Sequence, residues 1–251
     1  MTDNVCCIDG RMEACGNWPD GLYVYQNIRT AGHEPLYLDR HIACLRHAAR
    51  EVTGRDPEID TAGTARDIAE LLRRNNYPTA VQSQVIMRWY ASGHLLLAGG
   101  EISPYREFGL RSIYPTAAVV TYDNPLSPHP TSAREALAAI ARLRAASAGA
   151  RIAIQADSAG LVVSAGNAPI FTVREYTVTT PPAADSVERS LVIEAVRKAG
   201  LQMATADIAV ADLDRADEIF FIDYRGITSI GRCGSRAYMH ILTERIAENI
   251  R

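Results

Sequence analysis

Few side chains in this chain have both the type and the spacing for covalent or proton chemistry. Cys44 lies three residues after His41 and three before His47. On a helix that spacing brings both imidazoles within a turn of the thiol. A cysteine becomes a nucleophile only beside a base or a cation; without one, a helical cysteine is a small hydrophobe. His129, just before Pro130, is a second candidate, because an unperturbed imidazole titrates where a general base is useful. A histidine in such a segment is otherwise a solvent-exposed linker residue. Amines are scarce: Lys198 is the one lysine, against 25 arginines. It falls at the polar end of an amphipathic segment, in a last turn where a cation suits the helix dipole. The five cysteines, Cys6, Cys7, Cys15, Cys44 and Cys233, show no CxxC or zinc spacing, so no metal site is expected.

The elements that must position these groups follow from periodicity. Gly21–Arg29 and Pro35–Leu38 read as two strands around a turn at Ala31-Gly32-His33. Ile42, Leu45, Ala48, Ala49 and Val52 recur at helical spacing within 41–52, and Ile68, Leu71 and Leu72 within 64–74. Strands are expected at 80–90, 94–98 and 109–114. Three prolines in six residues, Pro125, Pro128 and Pro130, cannot continue a helix or an interior strand. The expected division is therefore a first domain over 1–121, a linker over 122–130 and a second domain over 131–251. In the second half, helices are expected at 132–148 and 187–199, each stopped by a glycine, with a final helix over 236–250. Strands are expected at 152–156, 161–164, 170–173, 201–208 and 219–223. Strands dominate and helices intersperse, which makes the class α+β.

Composition narrows the function. The net charge of −3 brings no basic excess to draw phosphate backbones, so nucleic acid is not an expected partner. The apolar runs fall short of the roughly 20 residues of a membrane helix. The N-terminus has no apolar leader, and unpaired cysteines suit a reducing compartment. The expected location is the cytoplasm, without a membrane anchor.

Several segments, in order and in register, resemble the class IV aminotransferases, the fold type IV pyridoxal-phosphate (PLP) enzymes. They are Tyr25-Gln26-Asn27-Ile28-Arg29, Leu38-Asp39-Arg40-His41-Ile42-Ala43-Cys44-Leu45, Val85-Ile86-Met87-Arg88-Trp89, and Gly160 to Ser164 with Ile170-Phe171. Thr180-Pro181-Pro182, Val187-Glu188-Arg189 and Ala216-Asp217-Glu218-Ile219-Phe220-Phe221 with Gly226-Ile227 complete the set. The resemblance runs from about residue 21 to 232. It implies a two-domain fold type IV architecture and a homodimer with sites at the domain boundary.

The positions that carry cofactor chemistry in that family depart from its pattern together. The lysine position falls on Thr131, or on Pro130 or Ser132 with a slip of one. The phosphate-binding arginine is Cys44, the carboxylate facing the ring nitrogen is Ser164, the asparagine before the next strand is Pro169, and the phosphate-contacting hydroxyl is Tyr224. On this reading PLP is not expected, nor any other cofactor. The resemblance then gives a polar cleft of Tyr25, Asn27, Cys44, Arg88, Thr131, Ser164, Tyr224, Arg225, Thr228 and Ser229. Cys44, His129 and Tyr224 are its catalytic candidates, and Arg88 and Arg225 hold the carboxylate of a small anionic, amino-acid-like metabolite. Glu188-Arg189 and Asp217-Glu218 are assigned structural roles. The leading expectation is a PLP-independent enzyme. A non-catalytic homologue that binds a ligand or a partner subunit is the alternative, and a conventional PLP aminotransferase or lyase the third reading.

Overall fold

The computed structural model describes residues 4–16, 18–105, 108–124 and 129–250. The chain divides into two compact units, residues 1–106 with 129–133 and residues 107–128 with 134–251. Of the proline-rich segment, residues 125–128 lie outside the described residues.

The first unit is a six-stranded antiparallel sheet with helices on one face. Its elements are β1 (Val5–Ile8), β2 (Arg11–Ala14), β3 (Tyr23–Ala31), β4 (Glu34–Pro35), α1 (Leu38–Thr53), α2 (Thr61–Arg74), β5 (Gln82–Tyr90) and β6 (Leu95–Ser103). The strand order is β2-β1-β6-β5-β3-β4. Side chains alternate along a strand, so Val24 and Ile28 of β3 and Val85, Met87 and Trp89 of β5 point to one face. There they meet Leu38, Ile42, Leu45 and Ala49 of α1 and Ile68, Leu71 and Leu72 of α2. Asp60 starts α2 by accepting the Ala62 and Gly63 amides, each at 3.0 Å, a standard N-cap. The strand expected over 35–38 stops at Pro35, because Tyr37, at φ 54°, turns the chain straight into α1.

The remaining elements are β7 (Thr116–Thr121), α3 (Ser132–Ser147), β8 (Ile152–Ala156), β9 (Val162–Ala165), β10 (Ile170–Arg174), β11 (Thr177–Thr180), α4 (Val187–Lys198), β12 (Gln202–Thr205), β13 (Glu218–Asp223), β14 (Gly226–Ser229), β15 (Arg232–Cys233), β16 (Arg236–Ala237) and α5 (Ile241–Ala247). A short 3-10 helix over Val210–Arg215 precedes β13. Two five-stranded sheets, β12-β11-β10-β13-β14 and β16-β15-β7-β8-β9, build the second unit. The β7–α3–β8 and β11–α4–β12 crossovers join parallel pairs, as parallel pairing requires. Ile154, Val162, Ile170, Leu213, Ile219 and Phe221 form its largest core cluster.

The α+β class holds. Three further expected elements are corrected. The strand expected over 109–114 makes one bridge, Leu110 to Ile227; the Ile113 amide then bonds the Arg111 carbonyl at 2.7 Å and turns the chain away. The strand expected over 201–208 ends at Thr205. The final helix is only α5, because Arg236–Ala237 first pairs with β15.

Candidate functional site

In the first unit, the sheet face away from the helices carries a polar strip. Tyr25 on β3 pairs with Arg88 on β5, and Asn27 pairs with Ile86 two positions along the ladder, on the same face. The Arg88 guanidinium lies over the Tyr23 ring at 4.6 Å and the Trp18 ring at 5.0 Å. Two aromatic faces fix the plane of a guanidinium. Asn27 Oδ1 accepts from Gln84 Nε2 at 2.8 Å. Thr131 is buried and bridges Val24, and the Tyr25 amide donates to the Pro130 carbonyl at 3.0 Å. Thr131 thus lies alongside β3.

His41 is 1% exposed and its Nδ1 is 3.0 Å from Gln26 Oε1. Burial, reinforced by Arg40, pushes its pKa down to about 3, so it stays neutral. His47 is exposed and packs its ring edge-on to His129, with centroids 5.6 Å apart. Cys44 is half-buried on α1.

The second unit holds the other candidates in two places. Tyr224 and Arg225 form the turn between β13 and β14. Asp223 accepts the Arg225 amide at 2.8 Å and Arg225 Nη2 at 2.6 Å, and the guanidinium lies 5.3 Å from the Tyr224 ring centroid. Arg225 is thus largely neutralised within its own turn. Thr228 and Ser229, on β14, are fully buried; Thr228 accepts from Arg111 Nη1 at 3.1 Å. Ser164 sits on the other sheet, on β9. Its hydroxyl reaches Gln155 Oε1 at 3.0 Å and the Gly166 carbonyl at 2.9 Å.

Two groups were missed from sequence. Glu188, assigned a structural role, sits in the first turn of α4, whose N-cap Ser186 accepts the Arg189 amide at 3.1 Å. Burial, with a smaller push from Asp223, raises the Glu188 carboxyl to about 7, against opposing hydrogen bonds from its own amide and from Ser186. A carboxyl poised there can hold or release a proton at neutral pH. Gln155 is the second: no motif marks it, and only strand pairing with Ser164 reveals it. Glu218 keeps its structural role, accepting the Leu242 and Thr243 amides at the start of α5 at 2.8 Å each.

The family model described as amino-transferase class IV matches residues 23–231. The chain belongs to the class IV aminotransferase family. No curated protein matches it by sequence. Among solved structures it is similar to the branched-chain aminotransferase of Thermoproteus uzoniensis with norvaline, at 22% identity and a TM-score of 0.83, over 98% of this chain and 93% of that one. An aminotransferase from Brucella abortus bound to PLP gives 20% identity and a TM-score of 0.78, over 98% and 96%. The T.th. branched-chain aminotransferase with pyridoxamine 5′-phosphate gives 16% and 0.80, over 99% and 93%. At these identities the likeness establishes the fold.

One expectation is overturned. The absence of a cofactor does not stand, since the solved fold-mates carry PLP or its amine form. The reading from sequence equated the covalent anchor with binding itself. A phosphorylated pyridine can also be held by hydrogen bonds, and the structure keeps groups suited to that. Gln155 Nε2 and Ser229 Oγ are buried and have no hydrogen-bond partner among the described residues. Such orphaned atoms are costly unless a ligand or water meets them, and they fit a polar bound group. No helix among the described residues is long and apolar enough to cross a membrane.

Proposed function

We propose that this class IV aminotransferase-family protein binds a pyridoxal-type cofactor by hydrogen bonds and acts on a small carboxylated, amino-acid-like metabolite. The carrying observation is Arg88, whose guanidinium lies over the Trp18 and Tyr23 rings beside Tyr25 and Asn27. That arrangement offers a fixed guanidinium fork to a carboxylate. The norvaline, PLP and pyridoxamine phosphate of the fold-mates support the ligand classes. Ser164, Gln155 and Ser229 would hold the cofactor through neutral hydrogen bonds. Tyr224 offers a phenol in the turn where the resemblance expects a phosphate contact. When bound, such a cofactor supplies an electron sink for charge that develops beside an amine. Glu188 holds a proton near neutral pH.

The test is an absorbance titration of the purified protein with PLP, followed by borohydride reduction and peptide mass mapping. Saturable binding with no reduced adduct is the expected result, because position 131 has no amine and Lys198 lies exposed in the last turn of α4. No binding overturns the proposal; an adduct on Lys198 overturns its non-covalent part. For the metabolite, Arg88→Ala is expected to weaken binding of branched-chain amino acids by about tenfold or more, as loss of a charge-assisted contact does. Unchanged affinity removes Arg88 from the site.

A further inference from the structure

Cys6 on β1 pairs with Glu13 on β2, and Cys15 stands two residues beyond Glu13, so both thiols share one face of the β1–β2 hairpin. Cys7, paired with Met12, points the other way, into the core beneath the helices. The Cys15 amide donates to the Asn4 carbonyl at 2.9 Å, which continues the ladder past Ala14 and holds Cys15 beside β1. The Cys6 and Cys15 thiols are hydrogen-bonded to each other. They differ in access: Cys6 is buried among Tyr90, Leu96 and Ala98, and Cys15 is exposed. Burial, reinforced by the neighbouring Cys15, pushes the Cys6 thiol up to about 11. Cys6 therefore stays protonated, while Cys15 is open to reagents in solvent. β2 is the edge strand of its sheet and is largely exposed, the kind of element that opens at low cost. Three residues after Cys15 comes Trp18, whose ring the Arg88 guanidinium overlies.

We propose that Cys6 and Cys15 form a thiol–disulfide exchange site that reacts with a low-molecular-weight disulfide and locks edge strand β2 to β1. Cys15 Sγ attacks one sulfur of the small disulfide. The S–S bond of the reagent breaks, Cys15 is left in a mixed disulfide, and one small thiol departs with the proton from Cys15. Cys6 Sγ then attacks Cys15 Sγ and displaces the second small thiol, which takes the proton from Cys6. Two protein thiols are oxidised and one small disulfide is reduced to two thiols. Thiols already in contact across paired strands suit the short separation that a disulfide demands. Open to solvent at Cys15, the bond stays reducible, so the lock is reversible. The exchange needs neither cofactor nor substrate and stands apart from the proposed function.

The test is incubation of the reduced full chain with glutathione disulfide, blocking of the remaining thiols, and tryptic peptide mass mapping. Arg11 lies between the two cysteines, so trypsin separates them into peptides 1–11 and 12–29. The expected product is these two peptides joined by a disulfide, with no glutathione retained on Cys15. Cys7→Ser is expected to keep the link, which assigns it to Cys6, and Cys15→Ser to abolish it. Cys6→Ser is expected to stop at a glutathione adduct on Cys15, the trapped first step. Cys15 is exposed, so its variant keeps the test valid if Cys6→Ser fails to fold. Oxidation is also expected to slow hydrogen exchange of the β2 amides about tenfold in the wild type and not in Cys15→Ser, because the cross-link removes local opening. A wild type that stays reduced, or that ends as the glutathione adduct, overturns the exchange site, as does a link that survives in Cys6→Ser. Unchanged β2 exchange in the linked protein overturns the lock.

Discussion

Two ionisable side chains with displaced pKa values, His41 buried and Glu188 half-buried, pull stability in opposite directions with pH. His41 folds neutral, its pKa lowered from 6.5 to about 3. Between those values the unfolded chain takes up the extra proton, so this contribution is present above pH 6.5 and lost as pH falls. Glu188 is raised from 4.5 to about 7, so between those values the folded chain holds the extra proton. Its contribution is present below pH 4.5 and lost as pH rises through 7. From about 4.5 to 6.5 the two slopes offset, and the pair alone gives a nearly flat profile. Glu188→Gln removes one slope and exposes the other. The variant is therefore expected to lose stability relative to wild type as pH falls from 7 to 4.5, by on the order of 2 kcal/mol. Urea midpoints measured across that range test this. A constant difference between the two proteins places the Glu188 pKa in the ordinary carboxylate range. The same residue shows what sequence leaves out: a Val-Glu-Arg segment reads as a solvated helix start, and only folding brings Asp223 and the burial that move its proton.

At the scale of elements, legibility followed how local the cause is. The amphipathic runs of α1, α2 and α4 were visible because their inward residues recur every three or four positions. β3 and β5 were visible because long, β-rich segments alternate. By contrast, β1, β2, β7, β11 and β14 were missed. All but the six-residue β7 are four residues long, and each is defined by its partner more than by its own pattern, as Gly226–Ser229 is by β13. The same limit applied to the site: Arg88 and Tyr25 could be named from motif order, but the Gln155–Ser164 pair follows from β8–β9 register. The β13–β14 turn also carries a local requirement. Gly226 has φ 114°, and a Cβ there would lie 2.5 Å from the Gly109 carbonyl oxygen. Gly226→Ala combines left-handed strain with a backbone clash and is expected to cost roughly 2 kcal/mol or more. Urea denaturation at pH 7 measures it; a loss below about half a kcal/mol means that the turn relaxes freely.

For the whole molecule, the resemblance that located the fold also carries an assembly. We propose a homodimer, and mass action makes that proposal quantitative. If two folded chains associate and unfolded ones do not, dimerisation stabilises the native state and the melting temperature rises with protein concentration. A monomer has no such dependence. Sedimentation equilibrium is expected to give twice the 27.4 kDa chain mass, and thermal melts over a roughly hundredfold range of concentration are expected to shift upward by several degrees. A second pair of melts, with and without saturating PLP, separates cofactor binding from assembly. The cofactor should raise the melting temperature at every protein concentration, by an amount that grows with the logarithm of its own concentration and not with that of the protein. A single 27.4 kDa species whose melting is independent of concentration removes the dimer and leaves the cofactor question to the PLP arm alone.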